Sequence, residues 1–506
     1  MKLLPVAFAL IALVLPGLLA ATTIYVDDDA PGDPGPGDPA VSDPFDNGSA
    51  AHPFDAIQEG INAAIAGDTV LVADGTYTGD DNRDLDFNGK AITVRSENGA
   101  ASTMIDCQGS LAQHRGFVFR SGETAASVLE GFTIRDGHMD EGGAILCRSA
   151  SSPTIRNCVL ADNFSKYRGG GIYCWDGSNV TITGCTIEDN VSLDDGAGVY
   201  CSGSELTVTD CVIRRNAAAW SGGGIYLTHS SPTITDCTIT GNTATWAGGI
   251  DCDNFCSPAI SACVISDNSA TNSGGGIRVI SQSHPTITNC LVARNSAPYG
   301  GAIHFWYSVH ATVANCTFVG NTTGIICGHE SCAPTITNSI LWDNGTQEVD
   351  VSDGATPAVS YSDVQNGTGE FWFDALTCLD EDPLFVTGPL HDCYLSETAA
   401  GQGTDSPCID AGSNTAVTLG LDDRTTRTDE APDVGIVDMG YHAETSSRVR
   451  GDVDGNGIVN GLDLTAVISA WETEPGDPLW DPAADLDGNG VINGLDLTEV
   501  ISNWTE

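Results

Sequence analysis

The chain has 506 residues, of which 68 are acidic and 19 basic, so its formal charge is −49. A chain this acidic repels nucleic acid and anionic membranes, so the overall charge excludes electrostatic binding to either of them. It suits calcium, a salty or extracellular medium, or a neutral or cationic partner. Carboxylates that only keep a long β-protein soluble would give the same composition.

Residues 1–20 contain one lysine, an apolar run and small residues at the end, which is typical of a secretory signal peptide. A membrane anchor is disfavoured because the run is short and contains Pro5 and Pro16. No later segment reaches the length of a membrane span. The sequence therefore predicts a secreted protein, extracellular or at the cell surface, without a transmembrane anchor.

Two short segments precede the main body of the chain. Residues 21–53 are rich in Asp, Pro and Gly and are predicted to form a disordered lead-in. Phe54, Ile57, Ile61 and Ile65 then recur at helical spacing. An amphipathic helix here would cover the apolar edge of whatever repeat follows it.

A repeat of 26 or 27 residues dominates the middle of the chain, and each copy has an asparagine five residues after a cysteine. A fixed period in the twenties with short β-branched runs predicts a solenoid. The cysteines are Cys158, Cys185, Cys211, Cys237, Cys263, Cys290 and Cys316. The asparagines are Asn163, Asn190, Asn216, Asn242, Asn268, Asn295 and Asn321.

Three strands can be placed in each repeat. An Ile or Val stands three residues before each cysteine, and an apolar residue stands two residues after it. Side chains three positions apart on one strand point to opposite faces, so the Ile or Val and the cysteine both face inward only if the chain bends between them. The residue just before the cysteine, often Asn, Asp or Gly, suits that bend. A third strand follows the glycines, as in Gly-Ile-Tyr-Cys at 171–174. The pattern predicts an all-β, three-faced parallel β-helix with a hydrogen-bonded asparagine ladder at one corner.

The 18 cysteines of this exported chain suggest disulfides at first sight. Side chains on neighbouring rungs of a parallel ladder point the same way, so we prefer stacked free thiols for the repeated cysteines. Pairs away from the ladder are the better disulfide candidates. They involve Cys252 or Cys256, Cys327 with Cys332, and two of Cys378, Cys393 and Cys408.

This pattern resembles the right-handed parallel β-helix (pectin-lyase-like) superfamily, and the resemblance spans residues 54–345. Residues 346–445 have a different pattern and are predicted to form terminal coils or a cap against the solenoid. We expect a monomer.

Residues 446–506 contain two copies of a calcium-loop motif, at 452–463 and 485–496. Carboxylate, amide and carbonyl oxygens at loop positions 1, 3, 5, 7, 9 and 12 are the ligands that Ca²⁺ prefers, so two Ca²⁺ sites are predicted. The ligands are Asp452, Asp454, Asn456, the Ile458 carbonyl, Asn460 and Asp463, and Asp485, Asp487, Asn489, the Val491 carbonyl, Asn493 and Asp496. A duplicated loop–helix unit resembles a dockerin module, which implies a cohesin-like scaffold partner. Gly461-Leu462 and Gly494-Leu495 leave the type of that partner open.

Aromatic residues recur at coil spacing on the third strand and in the turn before it. They would form a platform for sugar rings if exposed, or stiffen the sheet if packed against each other. The candidate carbohydrate-binding residues are Tyr173, Trp175, Tyr200, Trp220, Tyr226, Trp246, Tyr299 and Trp306.

Asp251 and Asp253 share one face of a strand at ~7 Å, a separation found in inverting glycosidases. Arg278 and His304 follow on the next two rungs, so a hydrolase would use the two aspartates as acid and base with His304 or Arg278 assisting. The alternative is ordinary solvated polar residues. The Gly-His-Gly motif of β-helix polygalacturonases is absent, and so is the Lys/Arg base cluster of pectate-type lyases, which disfavours a lyase.

Two functional hypotheses follow from the sequence. The first is a secreted polysaccharide-binding or polysaccharide-degrading protein, in the latter case a glycoside hydrolase, anchored by the calcium module. The second is a non-catalytic surface or adhesion protein with a structural calcium module.

Overall fold

The computed structural model describes residues 21–27, 46–329, 331–345 and 347–445, together with residues 464, 467, 468 and 492. Within these residues the chain winds into a right-handed parallel β-helix of about eleven turns, as the repeat predicted. None of the helices found in this described part is long and apolar enough to cross a membrane.

The described residues form four parallel sheets, numbered here in the order in which one coil meets them. Sheet 1 contains Thr23–Val26, Thr69–Val72, Thr93–Ser96, Val128–Glu130, Thr154–Arg156, Val180–Thr183, Leu206–Thr209, Thr233–Thr235, Ala259–Ser261, Thr286–Thr288, Thr312–Ala314, Thr335–Thr337 and Ala358–Ser360. Sheet 2 contains Gly75–Tyr77, Thr103–Asp106, Thr133–Arg135, Val159–Ala161, Thr186–Glu188, Val212–Arg214, Thr238–Thr240, Val264–Ser266, Leu291–Ala293, Thr317–Val319, Ile340–Trp342 and Asp363–Val364. Sheet 3 contains His138–Glu141, Phe164–Arg168, Val191–Ser192, Ala217–Ala218, Thr243–Trp246 and Ser269–Ser273. Sheet 4 contains Leu85–Asp86, Phe117–Phe119, Ile145–Cys147, Ile172–Trp175, Val199–Ser202, Ile225–Thr228, Ile250–Asp253, Ile277–Ile280, Ile303–Trp306, Ile325–Gly328 and Val349–Val351.

Sheets 1, 2 and 4 are the three faces that the repeat predicted. Sheet 3 is an addition, because the turn between the ladder asparagine and the glycines is itself extended over six of the described coils. Its strands are short, and its register shifts near Trp246. This extra sheet forms one wall of the groove described below.

The start of the solenoid differs in part from the prediction. Thr23–Val26 is a strand that pairs with Thr69–Val72, so residues 21–53 are not disordered throughout. The predicted helix is confirmed at Ile57–Ala63. It lies so close to the first coil that a Cβ on Gly60 would come within 2.8 Å of Val26 and Val70. Ile65 falls beyond the helix and is exposed.

The corner before each ladder cysteine adopts the predicted left-handed backbone. Its residues have φ between 48° and 61°, so the chain bends there and turns both flanking strands toward the core. The corner residues are Asn157, Gly184, Asp210, Asp236, Ala262, Asn289 and Asn315. Phe132, which takes the cysteine position in an earlier coil, is also completely buried.

The asparagine ladder forms as predicted and is one rung longer. From Asn190 onward, each side-chain oxygen accepts from the backbone N–H and the amide of the asparagine one coil earlier, as Asn242 does from Asn216 at 2.9 and 3.0 Å. The first rung, Asn163, accepts from the backbone N–H of Gly137 at 2.9 Å. Asn344 adds the extra rung, and Glu348 ends the ladder by accepting from its backbone and side chain at 2.9 and 2.5 Å. The ladder thereby satisfies buried polar groups that would otherwise oppose folding.

All 18 cysteines lie in the described residues, and all are free thiols. The stacked thiol ladder is therefore confirmed, whereas the disulfides expected at Cys252 or Cys256, at Cys327 with Cys332, and among Cys378, Cys393 and Cys408 are not formed. The ladder thiols instead donate to backbone carbonyls, as Cys237 does to the carbonyl of Thr235 at 3.1 Å.

Residues 385–445 leave the helical path and pack along the outer side of sheet 2. Two antiparallel strand pairs form there, Phe385–Val386 with Tyr394–Leu395 and Arg424–Thr425 with Ala443–Glu444. The short helices Thr398–Ala400 and Ala416–Leu419 lie in the same segment. Tyr394, Tyr441 and Ala443 bury the outward faces of Leu291 and Ala293.

Polar contacts fix this flanking segment to corner residues of the solenoid. His442 and Asn289 exchange two hydrogen bonds of 2.7 and 2.9 Å, and Arg424 pairs with Asp236 at 2.9 Å. The segment is therefore attached beside the middle coils as well as following the last one.

Candidate functional site

The outward face of sheet 4 carries a column of chemically different side chains. Strand alternation places them outward, because the residues on either side of each fill the core: Ile or Val before it, and Cys, Leu, Val or Phe after it. Parallel pairing aligns them one coil apart, at ~4.8 Å. In order they are Tyr173, Tyr200, Tyr226, Asp251, Arg278 and His304.

The three tyrosines of this column stack on each other instead of forming an open platform. Their ring centroids are 5.1 and 5.2 Å apart, and each residue is at most 8% exposed. Turn glycines lie directly over them, and a Cβ on Gly222 would stand 2.7 Å from that of Tyr226. Of the two alternatives that the sequence left open, these three residues adopt the second: they pack against each other along the sheet.

Asp251 and Arg278 form a buried ion pair. Arg278 donates from Nε and Nη2 to the two carboxylate oxygens at 3.0 and 2.7 Å, and Nη2 also reaches the Ser221 hydroxyl at 3.4 Å. Burial raises the pKa of Asp251, and Arg278 offsets part of that effect. Burial opposes the charge on Arg278, but the Asp251 carboxylate holds its pKa above its ordinary value. The pair has no net charge, and Asp251 is fully buried rather than open to a substrate.

Asp253 and His304 flank this pair. Asp253 accepts from the Tyr226 hydroxyl at 3.4 Å, while its other oxygen is buried with no partner. His304 Nδ1 lies 3.0 Å from the Ser273 hydroxyl. Burial and the nearby charge of Arg278 lower the pKa of His304 to about 4, so the imidazole is neutral at neutral pH.

Asp195 is a candidate acid that the sequence analysis missed. It lies at the edge of sheet 3 and is half-buried. Burial, then the carboxylates of Asp194 and Asp251, raise its pKa to about 7, and Arg168 offsets part of this rise. The sequence feature that could have indicated Asp195 is its position next to Asp194 in the turn before the sheet 4 strand.

A groove of about 460 Å³ opens between sheets 3 and 4 beside the ion pair. This is the size of a small-molecule site. The Arg278 guanidinium lies 5.1 Å from the centre of the Trp246 ring, within reach of a cation–π contact. The lining residues are Trp246, Ser273, Arg278, Ile280, Tyr299, His304 and Trp306.

The groove thus brings together Trp246, Tyr299, Trp306 and His304 from the predicted site residues. Trp175 and Trp220 are exposed but lie outside it. The aromatic rings of the groove can stack on the apolar faces of a sugar ring, and the hydrogen-bonding groups between them can bind its hydroxyl groups.

The predicted calcium ligands, Asp452 to Asp463 and Asp485 to Asp496, lie outside the described residues. Within the described part of the chain, no group of three or more His, Cys, Asp or Glu side chains is placed to hold a metal ion.

The fold and the groove define a parallel β-helix protein with an aromatic surface groove. Residues 90–261 and 224–372 match the family described as "Right handed beta helix region", together more than half of the chain. The chain belongs to that family. Residues 450–503 match the "Dockerin type I domain".

Solved structures with similar folds include three carbohydrate-related proteins. The pectate lyase Pel9A is 15% identical with a TM-score of 0.43, covering 84% of this chain and 98% of that chain. XylC in complex with xylose is 11% identical with a TM-score of 0.47, covering 83% and 99%. The A-module of the mannuronan C-5 epimerase AlgE4 from Azotobacter vinelandii is 14% identical with a TM-score of 0.26, covering 60% and 92%. No curated protein matches the chain. These identities are too low to indicate a substrate.

Proposed function

We propose that this chain is a secreted polysaccharide-binding protein whose groove between sheets 3 and 4 holds the glycan. Residues 446–506 attach it, through calcium, to a cohesin-like domain of a scaffold. The observation that carries the proposal is the groove itself, where Trp246, Tyr299 and Trp306 surround hydrogen-bonding groups. The dockerin match supports the anchoring half.

Binding is favoured over hydrolysis because no carboxylate belongs to the described lining of the groove. Asp251 uses both oxygens to bind Arg278. An acid or base would have to reach the glycosidic oxygen directly or through one water.

The groove is tested by the double variant Trp246→Ala/Trp306→Ala. We expect its affinity for the bound glycan to fall by at least about tenfold for each ring, because apolar stacking on the sugar is lost. Isothermal titration against a panel of plant and bacterial polysaccharides gives the wild-type and variant affinities. Phe371→Ala removes an exposed aromatic outside the groove and is the matched control. Equal affinity of the double variant and wild type would contradict this site.

Hydrolysis is the second candidate: the pKa of Asp195 is raised to about 7, but Asp195 lies outside the described lining, so only a glycan that extends beyond the groove would reach it. A carboxyl group protonated near neutral pH is suited to donate a proton to a leaving oxygen. We then expect new reducing ends from the bound glycan, and their loss in Asp195→Asn with binding unchanged. If the wild type binds the glycan and releases no reducing ends, hydrolysis is refuted and only the binding function remains.

Calcium anchoring is tested on the full chain with Asp452→Ala and Asp485→Ala. Each variant removes a charged ligand from position 1 of one loop, so we expect that site to weaken by more than about 100-fold while the other persists. Calcium titration after chelation should show two sites in the wild type and one in each variant. Asp477→Ala, an acidic residue between the loops, is the control. Cohesin binding that survives chelation would refute the calcium-dependent anchor.

A further inference from the structure

The charges around the groove bear on which glycans it could bind. Arg278 is the one residue of its described lining that carries a formal charge, and Asp251 neutralises that charge through two hydrogen bonds. A guanidinium that already holds a carboxylate in this two-bonded geometry has its best anion-binding edge occupied. Arg278 therefore acts toward a ligand as a polar surface rather than as a cation.

His304 does not supply the missing positive charge. Its imidazole is partly buried against Ser273 and stands one coil from Arg278, whose charge opposes protonation. Neutral imidazole offers one donor and one acceptor to a hydroxyl group.

Acidic side chains border the groove on both sides along sheet 4. Asp253 lies one coil before Ile280. Ile326 follows His304 by one coil, and Asp350 follows Ile326 by one further coil. On the sheet 3 side the acidic side chain is Asp194, whose carboxylate lies 4.0 Å from Arg168. A ligand carboxylate would meet this field without an unpaired cation among the described lining residues to compensate it.

Trp246 and Tyr299 lie two coils apart in the column that also contains Ser273. At ~4.8 Å per coil, the aromatic stretch is about 10 Å long. This length accommodates a short run of sugar rings, whose hydroxyl groups would face Ser273 and His304.

We propose, on the basis of the glycan-binding function above, that the groove selects neutral oligosaccharides and rejects polyuronates. The compensated Asp251–Arg278 pair sets this preference.

The test measures binding of the full chain, in calcium, to tetrasaccharides of matched length. Cellotetraose, xylotetraose and mannotetraose represent neutral ligands, and tetragalacturonate and tetramannuronate represent uronates. We expect at least one neutral ligand to bind at least about tenfold more tightly than either uronate, because an uncompensated carboxylate costs affinity. This comparison needs no variant.

Asp251→Asn then releases the charge of Arg278 with little change of shape. We expect uronate affinity to rise about tenfold and neutral affinity to change less than about threefold. Circular dichroism shows whether the variant is folded. If it is not, Asp251→Leu/Arg278→Met removes both charges together, and uronates should still bind at least about tenfold more weakly than the best neutral ligand, because no released cation is present to bind a carboxylate.

The outcomes separate the two proposals. A uronate that binds as tightly as the neutral ligands overturns the selectivity and leaves the glycan-binding function standing. A protein that binds none of the five tetrasaccharides and none of the polysaccharide panel refutes the glycan-binding function, and the selectivity with it.

Discussion

Replacing Asn242 by alanine should lower the free energy of unfolding by about 3–5 kcal/mol. The side-chain oxygen of Asn242 accepts two hydrogen bonds from Asn216, and its amide donates to the Ile213 carbonyl and to Asn268. All of these groups are buried, so alanine leaves several of them without a partner, at about 1–3 kcal/mol for each group that no water can reach. Chemical denaturation followed by circular dichroism measures the change.

Asn98→Ala is the matched control, because Asn98 is exposed and its side chain bonds the exposed carboxylate of Asp74. We expect its effect to stay within about 0.5 kcal/mol. A small effect of Asn242→Ala, comparable to this control, would mean that the ladder contributes little to the stability of the solenoid.

Replacing Arg278 by methionine should cost about 3–5 kcal/mol of stability at neutral pH, because it leaves the fully buried Asp251 carboxylate without its counter-charge. The pKa of Asp251 is already raised by burial and would rise further without Arg278. A raised folded-state pKa means that stability is present at low pH and is lost as pH rises through that pKa. The variant should therefore recover part of its stability when the pH is lowered.

Two further variants make this prediction specific. Asp251→Leu/Arg278→Met replaces the pair by apolar groups and should be within about 1 kcal/mol of wild type, or more stable. Arg294→Met breaks the exposed pair with Asp267 and should cost less than about 1 kcal/mol. If all three variants lose similar stability, burial of the pair is not the cause.

Much of the fold could be predicted because the repeat constrains it at several positions at once. The spacing of Ile155, Asn157 and Cys158 required a bend at the middle residue, and the structure has left-handed backbone there. Sheet 3 could not be predicted, because strands such as Ala217–Ala218 are two residues long and carry no alternating pattern. The position of residues 385–445 beside the solenoid could not be predicted either, because it depends on long-range contacts such as that between His442 and Asn289.

The site could be predicted less fully than the fold. The register placed Asp251 beside Arg278, because 27 residues separate them in a repeat of that length. Their burial depends on how the preceding turn lies over sheet 4, and sequence spacing does not report this. Gly274 lies so close that a Cβ there would stand 2.7 Å from that of Arg278. The same closeness at Gly222 covers Tyr226, which the periodicity placed on the outward face without deciding between exposure and packing.

The flanking segment also determines how the solenoid would carry mechanical load. Tyr441 and His442 are bonded to Thr317 and Asn289, so the described chain approaches residue 445 beside the middle coils of sheet 2. If residues 446–506 attach to a scaffold as proposed, a pull on them would load these coils sideways, across many hydrogen bonds at once. The last coil, which pairs with a neighbouring coil on one side only, would then not bear the force that could separate it from the solenoid.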